Sequence, residues 1–266
     1  MSTLKFENNG SGISTVILAR PATRNAFESV MIAELTEIFE KRLNLDPSLR
    51  VVCLRGEGPS FSAGADLEWM KSMASFNMDQ NTRDADALYR MFLAMRACPV
   101  PLIGRLHGHA MGGALGLAAV CDVAAAEAQT KFSFSEARLG LAPAIICGFV
   151  AEKMLPHALQ RYALTAEIFS AQAAREAGLI ASVESGEEAL NASIDEILRA
   201  IAGNGPEAVR ATKALLRATS RDVAGRGDVR ALATRVIAER RVSAEGQEGM
   251  RAFFEKRLAA WSGARK

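Results

Sequence analysis

The sequence predicts an α/β chain in which stacked strand–turn–helix units form a core and a helical region follows. Three observations carry this. First, one unit recurs: 51–55 leads to a small-residue loop over 60–66 and a helix from Leu67. Then 102–106 leads to a glycine loop over 108–113 and a helix over 114–120, and 123–126 leads through 132–134 to Glu136. Such repetition favours turns of a ββα spiral over a doubly wound sheet, although period alone leaves both open. Second, Asn204-Gly205-Pro206 interrupts the chain, and the pattern after it is helical to the end. This divides a core over 1–204 from a C-terminal unit over 205–266. Third, 266 residues with 49% apolar content suffice for one substantial core with a small appended unit.

The elements follow in order. Residues 13–18 alternate and read as a strand. Asn25, with Glu28 three residues on, has the form of a capping box. Ile32, Leu35, Phe39 and Leu43 then recur at helical spacing, predicting a helix over 27–43. Asp46-Pro47 closes the connection. The β-branched run at 51–55 stops at Gly56-Glu57-Gly58-Pro59. From about residue 158 the chain reads as mainly helical, with a helix stop and a short strand at Gly178-Leu179-Ile180-Ala181.

Composition excludes several classes of function. No apolar run follows a basic start, so no signal peptide is expected. No uncharged apolar stretch reaches the roughly 18 residues of a membrane span. The four cysteines (Cys53, Cys98, Cys121, Cys147) form no CxxC pair, and three sit in apolar runs. They read as reduced, buried thiols of a cytoplasmic protein. His107, His109 and His157 form no metal-binding pattern, so no metal site is expected. There is no GxGxxG after a strand and no P-loop; Gly58-Pro59-Ser60-Phe61-Ser62 starts like a nucleophile elbow but lacks the final glycine. The net charge of +2 is unevenly placed, with Arg and Lys concentrated after Gly205. A basic tail of this kind suits nucleic acid, a small polyphosphate ligand or a subunit interface. It has few aromatics and no nucleic-acid module, so nucleic acid is not expected.

Three stretches can carry chemistry. In Phe61-Ser62-Ala63-Gly64-Ala65-Asp66-Leu67, small residues allow close backbone approach to a ligand, and Asp66 can cap the next helix. An exposed helix start offers free N–H groups to a developing oxyanion; an ordinary capped turn has the same appearance. His109-Ala110-Met111-Gly112-Gly113-Ala114-Leu115-Gly116-Leu117 again places glycines before a small-residue helix, which fits either a second oxyanion donor or close helix packing. In Phe132-Ser133-Phe134-Ser135-Glu136-Ala137-Arg138, Glu136 lies in an apolar setting that would raise its pKa toward working pH. The other reading pairs it with Arg138 on a surface turn.

At these residues the sequence resembles the enoyl-CoA hydratase/isomerase (crotonase) superfamily. Ser62 to Leu67 is similar to that family's first oxyanion loop, Gly108 to Asp122 to its second loop and helix, and Ser135 to Leu141 to its catalytic-glutamate segment. The match runs from Arg24-Asn25-Ala26 to Phe253-Phe254-Glu255-Lys256-Arg257. The resemblance implies a crotonase-type ββα-spiral core with a C-terminal α-helical trimerisation region, assembled as a homotrimer or dimer of trimers. It implies Glu136 as acid/base, with Ala65 and Gly113 as oxyanion donors. It places Arg24, Ala26, Ala63, Gly64, Asp66 and Leu67 against coenzyme A, with Phe253 and Lys256 reaching the nucleotide from an adjacent subunit. Gly112, Gly116 and Pro143 would line the substrate pocket. Coenzyme A would arrive with the acyl-CoA substrate and no permanent cofactor would be held; no membrane partner is implied.

One departure matters. Family hydratases carry two glutamates, and Gly116 stands at the position of the first. A single glutamate also resembles the family's double-bond isomerases. The segments 112–117, 140–146, 161–167 and 242–249 look like bacterial methylglutaconyl-CoA hydratases of leucine catabolism and their isoprenoid-degrading relatives. This implies hydration of a branched, carboxylated 2-enoyl-CoA, with Gly116 leaving room for the 3-substituent and Arg138, His107 or His109 meeting the distal carboxylate. The alternatives are a Δ3,Δ2-enoyl-CoA isomerase and a non-catalytic acyl-CoA-binding homologue.

Overall fold

The computed structural model describes residues 2–43, 46–222 and 229–262. The main sheet contains β1 (Leu4–Asn8), β2 (Ile13–Leu18), β3 (Val51–Gly56), β4 (Leu102–Leu106), β6 (Val123–Glu127) and β9 (Ser182–Glu184), in the order β1-β2-β3-β4-β6-β9. Only the β1–β2 hairpin is antiparallel; the other neighbours run parallel. Parallel strands need both faces covered, and β3 and β4 are buried almost throughout. Alternation explains how. Val52 and Leu54 of β3 face the main core, while Val51 and Cys53 face a second cluster with Ile103 and Ala125. Leu190, Ile194 and Leu198 of α8 (Glu187–Ala202) cover that second face.

A second, smaller layer settles the choice between spiral and doubly wound sheet. It contains β5 (His109–Met111), β7 (Lys131–Ser133) and β8 (Phe169–Ser170). Ser62 bridges Ala110 in parallel, and Ala110 pairs with Phe132 in parallel. Each turn therefore runs from a main-sheet strand to a short extended piece and then to a helix. The successive helices are α2 (Leu67–Met73), α4 (Gly113–Val120), and the 3-10 turn Glu136–Leu139 followed by α5 (Ala144–Ala151). This is the ββα spiral. Helix α3 (Met78–Ala97) packs between α1 (Ser29–Glu37) and α4.

Two local expectations are corrected. Asn25 does not cap a helix: its φ is 56°, it is buried, and its side chain ties three loops together. Its Oδ1 accepts from Arg20 N–H at 2.8 Å, and its Nδ2 donates to the carbonyls of Glu57 and Ser60, each at 2.8 Å. Asn tolerates the left-handed region, and a residue there cannot start a helix. Helix α1 begins at Ser29 instead and continues through a π-helical turn over Ile38–Arg42. The strand expected at 178–181 forms later, as β9. β1, which the sequence reading did not propose, pairs with β2 at the sheet edge.

The spiral is followed by α6 (Pro156–Thr165), α7 (Ala171–Glu176) and, beyond α8, by α9 (Pro206–Asp222), α10 (Val229–Val242) and α11 (Ala244–Phe254). α9 is bolted to the core. Lys213, only 6% exposed, meets Asp122 Oδ2 at 2.5 Å and donates to Val100 O at 2.6 Å. Arg210 donates to Leu49 O at 2.8 Å. Removing one partner of a buried pair strands the other. Lys213→Met should therefore cost about 2–3 kcal/mol, less than a fully buried pair because Asp122 keeps contact with water. Chemical denaturation checks this; an unchanged midpoint would mean that the pair does not hold α9. Cys53, Cys98 and Cys121 are free and buried, and Cys147 is free and half-buried. No described helix is long and apolar enough to cross a membrane.

Candidate active site

The site is assembled from the loops that follow β3, β5 and β7. Gly64 makes the first junction. Its φ is +87°, and a Cβ there would lie 2.7 Å from the carbonyl oxygen of Met111, so only glycine lets the two loops touch. The loop is then pinned from below. Phe27 N–H donates to Gly64 O at 2.6 Å, and Asp66 N–H donates to Phe27 O at 2.8 Å. Between these two bonds, Ala65 faces outward, and among the described residues its N–H has no partner. Asp66 is the N-cap of α2, accepting from the N–H groups of Glu68 at 2.9 Å and Trp69 at 3.4 Å. Arg20 holds its other oxygen at 3.0 Å.

Gly113 is the first residue of α4, and among the described residues its N–H is likewise without an acceptor. The first N–H groups of a helix lack intrahelical partners and sit at the positive end of the helix dipole. The Phe27 ring packs against Gly113, 2.8 Å from where a Cβ would stand. One residue thus supports both free donors, through its backbone at Ala65 and its ring at Gly113. Gly112 completes the turn with a φ of +51°, donating to Ser133 O at 2.9 Å.

Glu136 closes the arrangement. Its Oε1 lies 3.3 Å from the position of a Cβ on Gly112, next door to the Gly113 donor. Its Oε2 is shielded from solvent and, among the described residues, hydrogen-bonded to nothing. Burial, unopposed by any cation, pushes the carboxyl above the ordinary glutamate range. Arg138 is exposed and makes no pair with it, so the surface ion pair that the sequence left open does not form. The sign of the pH effect follows. To act as a base the carboxyl must be ionised, and a raised pKa keeps it protonated to higher pH. The acid limb of kcat/KM should therefore fall above the usual carboxylate midpoint. A pH–rate profile checks this; an acid limb at the ordinary glutamate value would show that burial does not tune the group.

Other predicted site residues are distributed less evenly. Leu67 and Arg24 are exposed and Ala63 is half-buried, its N–H donating to Arg24 O at 2.9 Å. Ala26 and Asp66 are buried, with exposures of 5% and 8%, and the Asp66 carboxylate is used within the chain. The Asp66 side chain holds the first turn of α2 and Arg20. Pro143 is half-buried at the start of α5. Phe253 is 78% exposed on α11 and Lys256 lies just past it; α11 packs on α9 and α10. Gly116 requires a correction. A Cβ there would come within 2.6 Å of Ile146 Cγ2 and 2.8 Å of the Phe92 ring, so its space is filled by the protein's own side chains and is not left for a substituent.

His107 is spoken for, bonding Gly58 O at 2.8 Å and Arg105 at 3.1 Å, and His109 meets Ser60 Oγ at 3.2 Å. Sequence reasoning missed Phe27, Phe92 and Ile146 as supports. It also missed Cys147, whose thiol is pushed up by its own burial and then by the Glu136 charge. The small residues Gly113 and Gly116, three apart on one helix face, signal bulky neighbours there but do not name them.

Two free N–H groups beside a desolvated carboxyl are an arrangement suited to moving a proton next to a carbonyl whose oxygen takes up negative charge. The profile of the enoyl-CoA hydratase/isomerase family matches residues 8–264, and the chain belongs to that family. It is similar to an enoyl-CoA hydratase from Shewanella pealeana, with 37% identity, a TM-score of 0.90 and coverage of 97% of this chain and 96% of that one. Pseudomonas aeruginosa AtuE superposes with a TM-score of 0.92 at 34% identity, over 98% of this chain and 99% of that one. The enoyl-CoA hydratase AKT6-1 of Alternaria alternata is 30% identical over 227 residues, 82% of this chain and 74% of that protein.

Proposed function

We propose that this enzyme adds water to a branched, carboxylated 2-enoyl-CoA of the 3-methylglutaconyl type. The observation that carries the reading is the single desolvated carboxyl of Glu136 set beside the free N–H groups of Ala65 and Gly113. In this mechanism the two N–H groups hold the thioester oxygen. Glu136 takes a proton from water as the water oxygen bonds to C3, and charge passes to the thioester oxygen as an enolate. The protonated Glu136 then delivers its proton to C2, which regenerates the carboxylate. One group serves both steps. Arg138, exposed and two residues from Glu136, supports a carboxylated substrate, since it can meet a distal carboxylate that the occupied His107 cannot.

A second reading rests on the same single carboxyl. Glu136 takes the C2 proton of a 3-enoyl-CoA and returns it to C4, shifting the double bond without water. The packed position of Gly116, where no second carboxyl stands, favours it equally. In either reading coenzyme A comes with the substrate along Arg24, Ala63 and Leu67. The assembly is a homotrimer or dimer of trimers, with Phe253 and Lys256 supplied to a neighbour's nucleotide.

Mass analysis after incubation with 3-methylglutaconyl-CoA, crotonyl-CoA and a 3-enoyl-CoA separates the readings. Gain of one water on the first substrate alone is the expected result. Unchanged mass with a moved double bond on the third makes the enzyme an isomerase.

A further inference from the structure

The spiral core and the C-terminal helices meet over a cavity of about 720 Å³, within the range of small-molecule pockets. It shares no lining residue with the site above. It lies at the opposite end of α4 from Gly113, about 10 Å along the helix at 1.5 Å per residue. One wall is apolar, formed by Pro101, Val120, Val123, Ile201 and Val209. The other carries Arg96, Lys153, Lys213 and Arg217 against only Asp122 and Glu152.

Three of these cations are already satisfied. Arg96 pairs with Glu152 at 2.5 Å, Lys213 pairs with Asp122 at 2.5 Å, and Lys153 donates to the carbonyls of Cys121 and Asp122. Arg217 differs. Its Nη2 is shielded from solvent, and among the described residues that nitrogen has no acceptor and the side chain no ion pair. A guanidinium nitrogen removed from water without an acceptor is costly. Arg217 is half-buried and lines the cavity, so a turn of its side chain toward the cavity would bring that nitrogen to a ligand's acceptor, and such a ligand is one explanation of the orphan.

We propose that this cavity binds a small amphipathic carboxylate, its head on Arg217 and its hydrocarbon body on the apolar wall. The planar guanidinium matches the two oxygens of a carboxylate. The excess of positive charge rejects amines, and the apolar wall gives a bare inorganic anion little to replace the water it loses. The ligand site shares no residue with the thioester site, and α4 runs between the two.

Calorimetric titration of the full-length protein with octanoate, in saturating acetoacetyl-CoA to occupy the thioester site, tests this. One octanoate per chain is expected. Arg217→Met should weaken it tenfold or more, and Arg217→Lys should retain part of the affinity. Val209→Phe, which fills the apolar end without changing charge, should also abolish it, and it decides the matter if Arg217→Met fails to fold. Absence of octanoate binding, displacement by acetoacetyl-CoA, or unchanged affinity in Arg217→Met or in Val209→Phe would overturn the proposal. So would equal binding of inorganic phosphate or octylamine.

Discussion

Replacing Glu136 by Gln should lower kcat by roughly 100-fold or more while leaving the protein folded, because in the proposed mechanism it removes the group that transfers the proton and little else. Gln has nearly the same shape, so the contact with Gly112 survives. KM should change little, since the two N–H donors and the proposed coenzyme A surface remain. The raised acid limb of the pH profile should vanish with the carboxyl. Stability carries its own signature. A carboxyl whose pKa is raised by burial destabilises the folded state once pH climbs past its unfolded value and it is forced to ionise. The Gln variant should therefore melt at an equal or higher temperature near neutral pH. Steady-state kinetics and a melting curve on one preparation test both statements. Near-normal turnover would remove Glu136 from the mechanism, and lost activity with lost folding would make its role structural.

Replacing Gly64 by Ala should have the second large effect. The added methyl would stand 2.7 Å from the Met111 carbonyl oxygen, and the residue would be held at a φ of +87°. The loop must move, and Ala65 N–H must move with it away from Gly113. Loss of one oxyanion donor costs about 100- to 1000-fold in kcat. Strain and overpacking add a stability loss of about 1–3 kcal/mol. Gly10→Ala is the control: φ there is also positive, at +73°, but nothing lies within 4 Å of the added methyl. It should cost about 1 kcal/mol of stability and no activity. If the two variants are equally active, the junction of the loops does not position the donors.

Much of this was legible in the sequence because it depends on local chemistry. Asp66 before an apolar helix is a cap wherever it occurs, and it caps α2. The β-branched run of β3 and the glycine stop after it need no partner to be read. The Phe-rich frame around Glu136 announces a desolvated carboxyl, which the structure contains. The errors arose where one local pattern has two physical outcomes. Asn25 and Glu28 have the spacing of a capping box, yet the buried carbonyls of Glu57 and Ser60, remote in sequence, claim the Asn25 side chain. Gly116 looked like an opening because no side chain stands there; Phe92 from α3 and Ile146 from α5 take the space. Phe27 and Cys147 reach the site only through the spiral's long-range packing. No sequence spacing reports that a ring from just before α1 lies beneath the start of α4.

The common claim behind both variants is that one thioester oxygen meets two backbone donors while its α-carbon faces one carboxyl. A crystal structure with acetoacetyl-CoA tests this most directly. The thioester oxygen should lie about 2.7–3.1 Å from both Ala65 N and Gly113 N, with C2 turned toward the Glu136 carboxyl. A thioester oxygen held by any other pair of groups, or an acyl chain bound on the far side of Gly112 from Glu136, would contradict the account.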